Sequence, residues 1–233
     1  KLRIGIIGCG GIATGKHLSA LKSNGDLCEV VAFCDGILDR AKKAAQEYGV
    51  ENAQVCQNYK ELLANPNVDV VYVLTPNISH SPIAVDAFHA GKHVMCEKPM
   101  AINTAEAEKM MAAWKESGKK FSIGYQNRYR ADVRHLHSAC QNGDLGEIYY
   151  AKAYAIRRRG VPTWGSFIQG SQQGGGPLID IGTHSLDLAL WLMDNYDVES
   201  VTGTVFKKLG KLPQATDGNL WGAWDTSKYD VED

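Results

Sequence analysis

The 233-residue chain sets 25 Lys and Arg against 26 Asp and Glu, for a formal charge of −1, with 44% hydrophobic and 22% charged residues. That balance excludes disordered and fibrous classes and leaves apolar material for a substantial core, with room for one large domain or two smaller ones. Basic residues are dispersed apart from Arg157-Arg158-Arg159, so no extended cationic face for nucleic acid is written, and no apolar run approaches the ~18 residues of a membrane helix.

The arginine triplet suits a small anionic or hydroxylated ligand instead. Lys1-Leu2-Arg3 leads directly into a strand rather than a signal peptide, and the expected location is cytoplasmic. Six cysteines fall singly, without Cys-x-x-Cys spacing, and read as reduced, buried thiols rather than a disulfide framework or zinc site.

In chain order, residues 2–7 form an apolar strand ending in glycines, residues 12–22 have helical spacing, and residues 28–34 are again strand-like. The alternation continues with a helix near 37–48, a strand near 53–56, a helix near 58–64, a strand at 69–74, a helix near 80–90 and a strand at 93–96. A helix near 103–117 and a strand at 121–125 complete six units. Such alternation predicts a parallel sheet covered on both faces, the doubly wound Rossmann arrangement, over residues 1–125.

Beyond it the pattern changes. A helix near 130–141, a turn at Asn142-Gly143-Asp144, a strand at 147–157, a Gly-rich loop, a helix near 178–193 and a strand at 198–207 predict an α+β domain over 126–233. Its open sheet is expected to be mainly antiparallel. Only two clear strands stand there and residues 208–233 are turn-rich, so this domain is expected to be incomplete at its C-terminus.

The run Gly8-Cys9-Gly10-Gly11-Ile12-Ala13 follows a strand and opens a helix, the context in which Gly-x-Gly-x-x-Gly/Ala can cradle a dinucleotide. Gly8 permits the tight turn and Gly10 the close approach of a pyrophosphate. Ala13 is small enough for helix and strand to pack, and the loop and helix N–H groups, Gly11 and Ile12 among them, face the phosphates. Asp35 ends the second strand, placed to accept from an adenosine ribose and to repel a 2′-phosphate, which favours NAD over NADP; Arg40 keeps NADP open.

With Thr75-Pro76-Asn77-Ile78-Ser79-His80, Glu97-Lys98-Pro99 and Gly174-Gly175-Gly176-Pro177-Leu178-Ile179-Asp180-Ile181-Gly182-Thr183-His184 in this order, the chain resembles the glucose-fructose oxidoreductase/inositol dehydrogenase (Gfo/Idh/MocA) family from residue 3 to about 206. The Glu-Lys-Pro and Asp-x-Gly-x-His pieces are more specific than the glycine loop. The resemblance implies an NAD-dependent oxidoreductase that moves a hydride between nicotinamide and a secondary alcohol or ketone of a sugar, sugar derivative or cyclic polyol. It also implies a homo-oligomer, dimer or tetramer, in the complete chain.

On that resemblance Lys98, Asp180 and His184 are the expected catalytic residues. An ammonium at a strand's carboxyl end, Lys98, can bond a substrate hydroxyl and the cofactor ribose, while Asp180 and His184, four apart, share a helix face on which Asp180 orients the imidazole or a substrate hydroxyl and His184 takes the hydroxyl proton. Asp187 extends the face, but nothing completes a metal site, and no metal is expected. Thr75, Asn77, His80, Glu97, Asn127 and Arg128 are implied cofactor contacts; Tyr154, Arg157 and Trp164 are expected at the substrate. His135 and His137 receive no role. Two other readings of the same residues stay open: a glycosidase using transient oxidation, and a cofactor-sensing regulator without chemistry.

Overall fold

The computed structural model describes residues 1–233 and divides into two units, Lys1–Gly124 and Tyr125–Asp233. In the first, apolar runs become strands: β1 (Leu2–Ile7), β2 (Cys28–Cys34), β3 (Gln54–Cys56), β4 (Val70–Val73), β5 (His93–Cys96) and β6 (Phe121–Ile123). They form one sheet in the order β3-β2-β1-β4-β5-β6, and every pairing is parallel. The order reverses between β1 and β4, and a crevice opens at the carboxyl ends of strands at such a switch point.

Parallel strands need covering on both faces, and the helices between them supply it. The helix that begins as a π turn at Ala13–His17 and continues as α1 (Leu18–Ser23), with α2 (Leu38–Tyr48), buries Ala13, Leu18, Ala41 and Ala44 against Ile4, Ile6, Val30 and Phe33. The other face takes α3 (Tyr59–Leu63), α4 (His80–His89) and α5 (Thr104–Ser117), where Leu62, Ala84, Phe88 and Met110 meet Val71, Val73 and Val94. Full burial of a side chain such as Phe88 contributes about 1.5–3 kcal/mol.

Local chemistry sets the ends. Asn58 and Asn103 cap α3 and α5 by accepting from Lys60 N–H at 3.0 Å and Glu106 N–H at 2.9 Å, and Gly118 closes α5 in the left-handed conformation. Lys92, buried at the turn into β5, donates to the carbonyls of Asn65 (2.7 Å) and Val68 (2.9 Å) and so ties the two ends of the loop before β4 to β5.

The second unit holds α6 (Ala131–Gln141), the short α7 (Gly170–Gln173), and a π turn at Leu178–Gly182 that runs into α8 (Thr183–Met193). Trp224, Tyr229 and Val231 make a small core of their own. The antiparallel sheet expected here is not formed. Neither 147–157 nor 198–207 joins a ladder, and Tyr149 (87%) and Val201 (85%) stand in solvent. An alternating pattern specifies which face of a strand is apolar, but the backbone N–H and C=O groups still need a neighbour to pair with, and these two segments do not supply one to each other. No helix is long and apolar enough to cross a membrane.

Candidate functional site

In the first unit the loop after β1 turns at Gly8, with φ at +96° and its N–H donating to Cys34 C=O at 2.8 Å. A methyl group on Gly8 would lie 2.5 Å from the Leu74 carbonyl oxygen, so only glycine lets β1 leave the sheet this close to β4. Gly10 differs. A Cβ there, or on Gly11, would meet nothing within 4 Å, which leaves open space over the loop where the chain enters its helix. Ile12 is exposed and Ala13 fully buried, as a loop above and a packed helix below require.

Asp35, at the end of β2, accepts from Cys9 N–H through one oxygen and from Ile37 N–H through the other, each at 2.8 Å. The carboxylate therefore holds the glycine loop against the next strand's exit. Burial pushes the Cys9 thiol up to about 12, with Asp35 adding to the effect, so this cysteine stays a neutral packing group.

Beyond β4, the Thr75 hydroxyl oxygen is buried with no hydrogen-bond partner. An orphaned polar atom at the switch-point crevice, open space above Gly10 and Gly11, and N–H groups at a helix start are the features a dinucleotide would complete, and the residues fit one. Asn77 lies half-buried on the 3-10 turn Asn77–Ser79. His80 was expected to touch the cofactor, but its ring is fully buried. Nδ1 lies 2.8 Å from the Pro99 carbonyl and Nε2 2.9 Å from the Thr75 carbonyl, so both ring nitrogens face main-chain oxygens. Burial lowers its pKa more than those carbonyls raise it.

Glu97 and Lys98 leave β5 at the same edge, and the Lys98-Pro99 bond is cis. Glu97 is engaged through both oxygens, by His17 Nε2 at 2.8 Å and by Lys98 N–H at 3.0 Å. Sequence reasoning missed His17, since a histidine in an amphipathic helix carries no mark of a partner 80 residues away.

In the second unit Asp180 sits on the π turn and His184 begins α8 beyond it. The wider i→i+5 pitch still keeps residues four apart close around the axis. His184 is buried and meets the Tyr125 ring edge-on at 6.2 Å, and the Tyr125 hydroxyl bonds Thr183 Oγ1 at 2.8 Å. Asp187 forms a fork with Arg128, with Nε to Oδ2 at 2.8 Å and Nη2 to Oδ1 shorter, and the guanidinium lies over Trp191 at 5.3 Å. Arg128 is thus committed within its own unit, while Asn127 stays half-buried on the turn Gln126–Tyr129. His137, given no role from sequence, stacks on Trp191 at 3.8 Å. No group of three His, Cys, Asp or Glu side chains is arranged to hold a metal ion.

Of the expected substrate residues, Arg157 and Asp180 line one cavity of about 590 Å³ together with Arg158, Trp224 and Tyr229. Arg157 also lies over Trp221 at 5.1 Å. Trp164 packs edge-on to Trp221 and Phe167 and stays half-exposed, and Tyr154 belongs to a separate apolar groove with Leu136 and Leu188.

Residues 2–125 match a family described as an oxidoreductase family with an NAD-binding Rossmann fold, and residues 133–233 match the GFO/IDH/MocA C-terminal domain. The D-glucoside 3-dehydrogenase of Escherichia coli is 41% identical over 232 residues, covering 100% of this chain and 64% of the relative. Among solved structures, KijD10, a 3-ketoreductase from Actinomadura kijaniata in complex with NADP, is 30% identical at a TM-score of 0.71, covering 82% of this chain and 57% of its own. The WlbA dehydrogenase, solved with NADH and UDP-GlcNAcA, is 28% identical at a TM-score of 0.71, covering 83% and 55%. The chain thus spans less than two thirds of the length of each of these relatives.

Proposed function

The chain belongs to the Gfo/Idh/MocA family of oxidoreductases, and from that premise we propose that it serves NAD-dependent oxidation of a secondary alcohol on a sugar, sugar derivative or cyclic polyol, or the reverse reduction. The observation that supports this reading is the shared carboxyl edge of one sheet: the glycine loop, Asp35 and Thr75 gather at the switch point where open α/β sheets take their ligands, and Lys98 leaves β5 on that edge. The names of the relatives, a D-glucoside 3-dehydrogenase and a 3-ketoreductase among them, support the same substrate class.

In this reading Gly10, Gly11 and Ile12 offer backbone N–H groups to the pyrophosphate, Asp35 faces the adenosine ribose, and the Thr75 hydroxyl gains the partner it lacks. Bound nicotinamide supplies the hydride acceptor. The Lys98 ammonium donates to the reacting hydroxyl and stabilises negative charge as it develops on that oxygen. His184 takes the hydroxyl proton and Asp180 bonds a neighbouring hydroxyl, fixing which carbon is presented. Arg157, on the cavity that Asp180 lines, offers further donors to a hydroxyl-rich ligand.

The test is NADH formation at 340 nm over a panel of alkyl glucosides, free hexoses and inositols, with NAD and NADP in parallel. Lys98→Ala and His184→Ala are each expected to lose about 10²- to 10⁴-fold in turnover while still binding NAD. Turnover undiminished in Lys98→Ala would sink the assignment. Preference for NADP would remove Asp35 as the selector and leave the reaction class standing.

A further inference from the structure

The π turn after the glycine loop carries His17, and its Nε2 meets Glu97 Oε1 at 2.8 Å with both side chains largely buried, 15% and 13% exposed. Tyr72 of β4 presents its ring to the imidazole at 5.8 Å and 88°. Glu97 turns its other oxygen to its neighbour's main chain, accepting from Lys98 N–H at 3.0 Å. At the end of β6, Gly124 leaves room for this carboxylate, since a Cβ there would come within 3.1 Å of Oε1.

The pair is built so that one oxygen anchors and the other positions. Burial is the largest influence on Glu97 and acts to raise its pKa, but the hydrogen bond and charge of His17, then the Lys98 N–H and ammonium, together hold it below the ordinary carboxylate range. An ionised carboxylate only accepts, so Nε2 of His17 carries the proton. From the far side His80 faces the Pro99 carbonyl at 2.8 Å, so the main chain just after Lys98 also meets a histidine.

We infer that His17 is a positioning residue: it holds the Glu97 carboxylate in the one orientation whose second oxygen fixes the Lys98 backbone, and so links the helix of the dinucleotide loop to the lysine. The inference rests on the reading of Lys98 as the group that meets the reacting hydroxyl. Without His17 the carboxylate would keep its burial and lose its main counterweight. It would then take up a proton at higher pH, and the Lys98 N–H would lose a charged acceptor. The other titratable groups facing the pair are Tyr72 from β4, Cys96 and Lys98 from β5 and its exit, and His80 from α4.

The deciding measurement follows the Lys98 backbone amide by ¹H–¹⁵N NMR through a pH titration of the ligand-free chain. An amide bonded to a carboxylate reports that carboxylate's protonation directly. In the unsubstituted chain its midpoint is expected below the ordinary glutamate range; in His17→Ala it should move up by about one pH unit or more, and His17→Gln, which keeps an N–H donor, should fall between. His17→Gln also serves if the alanine variant fails to fold. An unmoved midpoint in a folded variant overturns the inference.

A second arm reads turnover. His17→Ala should lose about ten- to a hundredfold in kcat with the acid limb of its pH profile shifted upward, and His17→Gln should recover part of both. An unchanged kcat profile in His17→Ala, with Lys98→Ala inactive, overturns the positioning role and keeps the lysine. Full turnover in Lys98→Ala overturns the catalytic reading instead, while the amide titration still decides what His17 does.

Discussion

Gly8 and Gly10 stand two residues apart in one loop and should respond in opposite ways to the same methyl group. Gly8 has φ at +96°, and its Cβ would lie 2.5 Å from the Leu74 oxygen and 2.7 Å from the Leu74 carbonyl carbon. The conformation alone costs an L-residue about 1–2 kcal/mol, and the overlap is with backbone that no rotamer change relieves, so Gly8→Ala should destabilise the first unit by about 3 kcal/mol or more. Gly10 is not among the residues with positive φ, and its Cβ meets nothing within 4 Å. Gly10→Ala should therefore be neutral or stabilising by about 0.4–1 kcal/mol in the ligand-free chain, through the reduced entropy of the unfolded state. The methyl group would nevertheless stand in the space assigned to the pyrophosphate.

If NAD affinity falls a hundredfold, the stabilisation by a fixed NAD concentration, set at 100 times the unsubstituted dissociation constant, drops from about 2.7 to about 0.4 kcal/mol. In a melting experiment that is the difference between a rise of about 5–10 °C and one of about 1 °C. Thermal unfolding with and without NAD, paired with calorimetric titration, reads both quantities. Gly10→Ala binding NAD as tightly as the unsubstituted chain would refute the cradle, and Gly8→Ala melting with the unsubstituted chain would refute the backbone argument.

Two further outcomes concern stability. Arg3 donates to Asp69 through Nε and Nη2, and this hydrogen bonding holds the Asp69 carboxyl down to about 2. An unfolded aspartate titrates near 3.9, so the stabilisation is complete above about pH 4 and is lost as pH falls through about 2. Both side chains are about a third exposed, and screening leaves about 1 kcal/mol; Asp69→Asn should cost that much at pH 7 and progressively less in urea unfolding as pH falls towards about 2. In the second unit, Asp187→Ala should cost about 2–3 kcal/mol, because the Asp187 side chain is only 6% exposed and its loss strands a guanidinium that is 30% exposed. Chemical denaturation followed by tryptophan fluorescence would measure it, Trp191 being the ring beneath that guanidinium; a loss below 0.5 kcal/mol would show the fork to be dispensable.

The first unit was legible in the sequence because its signals are local. An apolar run of four to seven residues and a helix of matching period each act within a few residues, and a parallel sheet follows once strands and helices alternate. Gly8 and Asp35 could be picked out because the turn after β1 makes demands that few residue types meet. What the sequence left unsettled depends on partners far along the chain. The two segments patterned as strands beyond residue 146 lack neighbours to pair with, and alternation alone could not supply them. His80 turned both ring nitrogens to backbone carbonyls, Arg128 closed on an aspartate 59 residues away, and His17 met Glu97 across 80 residues. Sequence by itself determined the elements of the first unit and the family; tertiary structure alone decided which polar groups spend their hydrogen bonds on one another, because those bonds depend on distances that only packing sets.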